Sequence, residues 1–596
     1  MKAEAKGFKF LSMEGKVKIP FFQRTYVWDE DNWEALLVEL MSQTKSTNFL
    51  GSIILKQSKP ESGKPKEVEV IDGQQRLTTL SILLKALCDT FSEGVKKDCE
   101  NSINEILYYK KDYTSPATEL KIEHSHVDSG NYEKVIRGKM SIQEIGKDSP
   151  RILRCYKYFV EELRKMDENI RKDIFNKILD PNNRVIVVID IDENDDEQAI
   201  FDTLNTTGVR LSTSEIIKNA LFKKLIELSQ NRKEEVINFY KDTWEKTFLG
   251  DEETIKYWET ERLTGRLKRD NIEILLHCFA VIKDFFDPDK HNLSDLSKLF
   301  KEKIKKTNAK EDLEKFINEI IEYANIYRNK FPTFDNTTSF SFDDSIQRIF
   351  HILDELEIST FHPFILKVFK ENKDKEDEIK KKLLKLEKYI VKNMIAKSQE
   401  VKNYNKLCKQ FIQEPNNLDT KLSQIVSSED FKNQMKNGLR NISNKNARLL
   451  LFWIELYRRD KDAKCDLKEL KYTYSLEHIM PRDWRDHWAD IPKKYKPDGT
   501  EMSEEEAKKD RDEKVCWIGN MTLLRSSLNK SLQNRSFEEK IKGIKDYAEL
   551  YITKEIIEQY ETSKDNKDKT WDEDKIITRT ENLEKEIEEI WGCKDE

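Results

Sequence analysis

At 596 residues the chain is longer than one hydrophobic core normally supports, so two to four domains are expected. A charged fraction of 36% beside 37% hydrophobic residues describes a helix-rich protein with long solvated faces, and the absence of any run of eighteen apolar residues argues against a membrane-spanning helix. The net charge of -7 does not advertise a nucleic-acid binder, although phosphate contacts need only a local basic patch. The start Met-Lys-Ala-Glu-Ala lacks the apolar core of a signal peptide, and a cytoplasmic location is the expectation. Eight cysteines, Cys88, Cys99, Cys155, Cys278, Cys408, Cys465, Cys516 and Cys593, are scattered with no Cys-x-x-Cys pair. Neither a zinc site nor a disulfide framework is expected, in keeping with a reducing compartment.

The first informative segment is Ile19-Pro20-Phe21-Phe22-Gln23-Arg24-Thr25-Tyr26-Val27-Trp28, where a proline breaks any helix and Arg24 sits among aromatics. Asp29 to Asn32 can cap a helix whose Trp33, Leu36, Leu37 and Leu40 fall at helical spacing. Two strands are predicted next, Phe49 to Leu55 and Val68 to Ile71, separated by a turn-rich stretch. The second runs into Asp72-Gly73-Gln74-Gln75-Arg76, after which Leu77, Leu80, Leu83, Leu84, Leu87 and Phe91 trace one face of a long helix. A strand, a tight turn and a helix whose first turn carries two glutamines and an arginine suit an anion, a nucleotide above all. The same residues also suit an ordinary capped helix with Arg76 on the surface.

Further on, Asn183 to Asp190 is a continuous β-branched run, predicted as a buried strand. An acidic stretch and the pattern Leu204-Asn205-x-x-Gly208-x-x-Leu211 follow, with Asn205 placed to shape a loop facing the Asp72 turn, or Gly208 serving only a turn. A helix through Ile216, Ile217, Leu221 and Phe222 carries Lys218 and Asn219. From about 223 to 455 the apolar spacing is almost wholly helical, with lysine-rich faces at 299–306 and 379–393 that are solvated or track DNA.

The stretch from 474 to 540 carries the chemistry. Glu477-His478-Ile479-Met480-Pro481 is followed by Ile518-Gly519-Asn520-Met521-Thr522-Leu523-Leu524, Asn529, Asn534 and Lys540. Phosphodiester hydrolysis needs a base for the attacking water, a part His478 suits, and a cation at the phosphate. A hard cation such as Mg²⁺ or another divalent ion takes oxygen ligands and keeps several waters, so Glu477 and Asn529 suffice to seat it. In a strand over 472–479, Glu477 and His478 point to opposite faces and share a site only where the strand ends, an ending Pro481 favours. Asn534 is a second candidate ligand or a nucleic-acid contact, and Lys540 a candidate nucleic-acid contact at a phosphate. A surface Glu-His dipeptide with asparagines in turns is the plainer alternative.

This arrangement resembles the HNH, or ββα-metal, nucleases. Carried over residue by residue, the motif gives a metal ligand at Glu477, the general base at His478, a structural asparagine of the catalytic motif at Asn520 and a metal ligand at Asn529. It departs in having glutamate where aspartate or histidine is frequent, and a charged insert from about Arg485 to Lys514. Together with Asp72 to Arg76 and the Gln23-Arg24 segment, the chain resembles the GmrSD family of modification-dependent (type IV) restriction endonucleases. The resemblance implies a ParB-like amino-terminal domain that binds and hydrolyses a nucleoside triphosphate (GTP, UTP or similar) or senses modified DNA, with an HNH nuclease at the carboxy-terminal end.

The expectation is thus an α+β, predominantly helical protein. Its parts are a ParB-like mixed α/β domain (1–222), a helical connector (223–440) and an HNH-type nuclease domain (441–596). The nucleotide-site candidates are Gln23, Arg24, Asp72, Gly73, Gln74, Gln75, Arg76 and Asn205. Its substrate would be double-stranded DNA, especially modified phage DNA, with a homo-oligomer open and no membrane partner. Two other readings fit the same residues: a nucleotide-switched DNA sensor with an inactive nuclease-like segment, and an unspecific suicide nuclease.

Overall fold

The computed structural model describes residues 2–42, 50–57, 66–110, 117–191, 212–230, 232–264, 267–414, 416–485, 488–491, 493–496, 498–532, 535–562 and 570–592. The fold is α+β and mostly helical, in two compact units, Met1–Lys241 and Asp242–Glu596. Among the described residues no helix is long and apolar enough to cross a membrane. The acidic stretch after Ile191 and the Asn205 loop lie outside the described residues.

The first unit is built on a six-stranded mixed sheet. Its strands are β1 (Lys2–Lys6), β2 (Lys16–Lys18), β3 (Ser52–Gln57), β4 (Glu67–Asp72), β5 (Ile122–Glu123) and β6 (Ile186–Ile191). They lie in the order β1-β6-β3-β4-β2-β5, parallel at β6/β3, β4/β2 and β2/β5 and antiparallel at β1/β6 and β3/β4. Apolar clusters on both faces of the sheet explain the consecutive apolar residues in its strands. Ile53, Leu55, Val68, Val70, Ile186 and Val188 face the main core, while Ile54, Ile189 and Ile191 form a second small cluster.

Helices α1 (Glu30–Met41), α2 (Gln74–Thr90), α3 (Glu93–Leu107), α4 (Arg151–Arg164) and α5 (Thr213–Leu228) complete the unit's main elements. Asp29 caps α1 in a capping box with Asn32, and Trp33, Leu36, Leu37 and Leu40 are buried. Helix α2 is buried nearly all round, beyond the single face its leucines trace. Its hydroxyls are hidden by bonding back one turn: Thr78 Oγ1 donates to Gln74 O (2.8 Å), Thr79 to Gln75 O (2.7 Å) and Ser81 to Leu77 O (2.8 Å). One expectation is overturned here. Cys88 at the end of α2 and Cys99 in α3 form a disulfide, because the turn at Phe91–Ser92 folds the helices back until their Cα atoms lie 5.7 Å apart.

The second unit has helix α6 (Glu376–Ala396) and helix α7 (Asn444–Lys461), whose apolar run Leu449–Ile454 is wholly buried. Strands β7 (Tyr474–His478) and β8 (Met521–Arg525) pair antiparallel, and α8 (Ser526–Leu532), α9 (Phe537–Lys545), α10 (Tyr551–Thr562) and α11 (Glu573–Trp591) follow. One hydrophobic cluster takes Val391 and Ile395 from α6, the centre of α7, Met521 and Leu523 from β8, and Leu583, Ile587 and Trp591 from α11. The helical stretch and the carboxy-terminal stretch therefore share a core. Trp591 Nε1 donates to Glu387 Oε1 (2.8 Å), which also pairs with Arg348 (2.8 Å).

Residues 20–28 of the first unit are pinned as a loop. Tyr26 N donates to Asp128 Oδ2 (2.8 Å), and Tyr26 OH meets Thr79 Oγ1 (2.6 Å) and accepts from Trp33 Nε1 (2.9 Å). Burial pushes the Asp128 carboxyl up to about 6, the Tyr26 bond only partly opposing it. A folded-state value above the unfolded one means that the ionised carboxylate costs stability, absent at low pH and complete once pH has risen through about 6. Asp128→Asn, which keeps the acceptor, is expected to raise the melting temperature at pH 8, with the gain vanishing near pH 4. Thermal unfolding of both proteins across that range tests it.

Candidate functional site

Strands β7 and β8 pair with His478 opposite Met521, Glu477 opposite Thr522 and Tyr474 opposite Arg525. Alternation along β7 sends Glu477 and Ser475 to one face and His478 to the other, with the strand ending at His478 as Pro481 implies. Beyond it the chain is fixed by Asn520. Ile479 N donates to Asn520 O (2.9 Å), and Asn520 Oδ1 accepts from Met480 N (2.9 Å) and Trp571 Nε1 (3.0 Å). Asn520 Nδ2 donates to Met480 O (2.8 Å) and Val515 O (2.9 Å). With 0% exposure and its amide fully engaged, Asn520 touches no substrate. Those bonds suit the structural asparagine that its place in the motif implies.

Gly519 has an equally local reason. It packs on α11, where an added Cβ would run into the Ile576 carbonyl and lie 2.7 Å from Thr580 N, and its N–H donates to Thr580 Oγ1 (3.2 Å). Arg579 of the same helix donates to Gly519 O (2.8 Å), Met521 O (2.6 Å) and Ile552 O (3.0 Å). Helix α11 is thus the buttress of the strand pair.

Helices α8 and α9 dock on β7 through polar side chains. Asn529 Nδ2 donates to Leu476 O (2.8 Å) and Ser475 Oγ (3.0 Å), and Lys540 Nζ donates to His478 O (2.8 Å) while pairing with Glu477 Oε1. At 1% exposure Lys540 is a buried ion-pair partner of Glu477. Burial pushes the Glu477 carboxyl up and the Lys540 amine down, and each opposes that shift in the other. Asn534 lies outside the described residues.

His478 is half-buried, and among the described residues its Nε2 is enclosed without a hydrogen-bond partner. Burial first, then the charges of Arg482 and Lys540, pull its pKa down to about 4. At neutral pH the ring is therefore uncharged, with a nitrogen lone pair open to a proton. Two oxygens at β7 are of the kind a divalent cation takes. Asn529 Oδ1 has no partner among the described residues because its Nδ2 is the atom bonded to β7, and only Oε1 of Glu477 is committed to Lys540. No group of three or more His, Cys, Asp or Glu among the described residues could hold a metal, so most coordination positions would fall to water and substrate, as a hard cation tolerates.

In the first unit, Asp72 closes β4 opposite Ile54, and Gly73 adopts φ +91°, a left-handed turn whose Cβ-less backbone fits against Ile53. The glutamine amides that follow are used internally. Gln74 Nε2 donates to Arg24 O (3.0 Å) and Gln75 Nε2 to Thr25 O (3.1 Å), while Gln75 Oε1 accepts from Val27 N (2.9 Å). Gln23 Nε2 reaches back to Val70 O (2.7 Å). Arg76 Nη1 donates to Ser52 O (3.1 Å), its guanidinium lying where Gly51 leaves room. The structure therefore brings Gln23, Arg24, Asp72, Gly73, Gln74 and Gln75 together with the three glutamines as staples. What sequence reasoning missed was this internal use, together with the structural weight of Trp571 and Gly519; the glycine inside Ile518-Gly519-Asn520 was its one visible signal.

These features define a two-unit α+β protein: a mixed-sheet unit, and a unit in which a neutral imidazole stands at the end of a strand pair closed by helices. The GmrSD restriction endonuclease N-terminal domain model matches residues 8–222, and the GmrSD restriction endonucleases C-terminal domain model matches residues 425–586. The chain belongs to the GmrSD restriction endonuclease family. It is also 24% identical over 277 residues to the uncharacterized protein MJ0686 of Methanocaldococcus jannaschii, a match spanning 41% of this chain and 45% of that relative.

Gly519→Ala is expected to lower the stability of the second unit by about 3 kcal/mol, the upper range for overpacking against backbone. Urea unfolding followed by tryptophan fluorescence measures it.

Proposed function

We propose that the protein is a modification-dependent DNA endonuclease that acts in the cytoplasm against phage DNA, with an HNH-type site in its carboxy-terminal unit and a nucleoside-triphosphate site in its ParB-like amino-terminal unit. The observation that carries the reading is the uncharged His478 ring with its unpartnered nitrogen at the end of β7, the strand that also bears Glu477. Family membership supports restriction as its setting.

In this reading His478 accepts a proton from the water that attacks the scissile phosphate. Glu477 and Asn529 would hold Mg²⁺ or a similar cation, which supplies positive charge to the phosphate oxygens when bound. Lys540 orients Glu477, and Asn520 fixes the chain just beyond the imidazole. The amino-terminal unit binds nucleotide and couples it to cleavage.

His478→Ala is expected to reduce cleavage by at least about 100-fold, the scale of a lost general base. Its melting temperature should match wild type or exceed it, because an enclosed unpartnered nitrogen is removed. Nicking of plasmid and of modified phage DNA, with and without divalent metal and each nucleoside triphosphate, provides the measurement. Wild-type cutting by the variant would end the assignment, and no cutting by the wild type under any condition would favour a sensor without nuclease activity.

A further inference from the structure

Helix α5 carries a cation that neither the strand-pair site nor the glutamine staples use. Lys218 is 5% exposed, yet among the described residues its ammonium has no carboxylate within ion-pair distance and no hydrogen-bond acceptor. Glu215, one turn earlier, acts on it electrostatically but is committed elsewhere: its Oε2 accepts from Ser212 N (2.8 Å) in the box that caps α5. Arg24, half-buried, adds a second positive charge that acts on Lys218. Buried lysines normally have an anionic partner, and leaving one without costs stability.

The surrounding contacts hold this arrangement in place. Asn219, with its amide turned to satisfy both neighbours, donates to Phe22 O (3.1 Å) and Glu215 O (3.3 Å), fastening α5 to the segment that bears Arg24. Phe21 packs edge-on against Phe222 of the same helix. From the other side Gln74 of α2 holds Arg24 O (3.0 Å). The cap of α2 is Gly73, which supplies no side chain to its first turn. Two cations and an uncapped helix start thus converge on one short segment, a setting that favours an anion.

We propose that Lys218 and Arg24 form the phosphate-recognition site of the amino-terminal unit, taking the polyphosphate of a nucleotide. The inference rests on the nucleotide reading above and adds to it the residues that read the charge. An incoming phosphate would supply the anionic partner that the described protein does not give Lys218, and Arg24 the forked donor suited to phosphate oxygens.

The test uses the full chain as wild type, Lys218→Met and Lys218→Arg, titrated calorimetrically with each of the four ribonucleoside triphosphates and with inorganic tripolyphosphate, alongside thermal unfolding without ligand. The proposal expects at least one triphosphate, and tripolyphosphate, to bind wild type. Lys218→Met should weaken both by about 10- to 100-fold, the worth of a charged hydrogen bond, with Lys218→Arg retaining most of the affinity. Without ligand Lys218→Met should melt a few degrees higher, since an uncompensated buried charge is gone. Wild-type affinity in Lys218→Met, or a lower melting temperature in its ligand-free form, overturns the site. A triphosphate that binds while tripolyphosphate does not overturns charge recognition but leaves the nucleotide reading standing, and failure of every probe on wild type removes both.

Discussion

The amide of Asn520 decides where His478 stands. It is wholly buried and bonded to residue 480, to Val515 and to Trp571, so it ties the segment after the histidine to the segment before β8 and to the approach of α11. Each of those groups, left unpaired in the interior, would cost about 1–3 kcal/mol, and together they over-determine the local backbone. A neutral, non-titrating amide fixes the chain beyond His478 without adding charge beside the imidazole.

The same device recurs. Gln23, Gln74 and Gln75 fasten the 20–28 loop to β4 and α2, Asn219 fastens α5 to it, and Asn529 fastens α8 to β7. In each case a side-chain amide supplies the donor or acceptor that a loop backbone lacks. The motifs of both units are therefore rich in Gln and Asn for architectural reasons as well as chemical ones. Lys218 and Arg24 in one unit and Glu477 in the other lie on or beside the segments these amides fasten.

Much of this was legible in the sequence. The spacing of Trp33, Leu36, Leu37 and Leu40 marked α1, the β-branched run to Asp190 marked β6, and Glu477-His478 followed by Pro481 marked the end of β7, because periodicity and proline act locally. What stayed hidden depends on partners far along the chain. The Cys88–Cys99 disulfide follows from a helix turn, with no recognisable cysteine spacing. The burial of Lys540 requires Glu477, 63 positions away, and the core shared by α6 and α11 turns on Glu387 meeting Trp591 across 204 positions. The hydroxyls of α2 read as polar and solvent-facing until their back-bonding is seen.

The pairing of Glu477 with Lys540 has a thermodynamic corollary. Carboxylate and ammonium cancel, Asn529 is neutral and the imidazole is uncharged, so the formal charge left acting on His478 is that of Arg482. Oxygen sites gain divalent-ion affinity largely from the number of anionic ligands they muster. With no net anionic ligand, the oxygens of Glu477 and Asn529 would hold such an ion weakly alone and more firmly once a phosphodiester brings negative charge, linking ion uptake to DNA engagement.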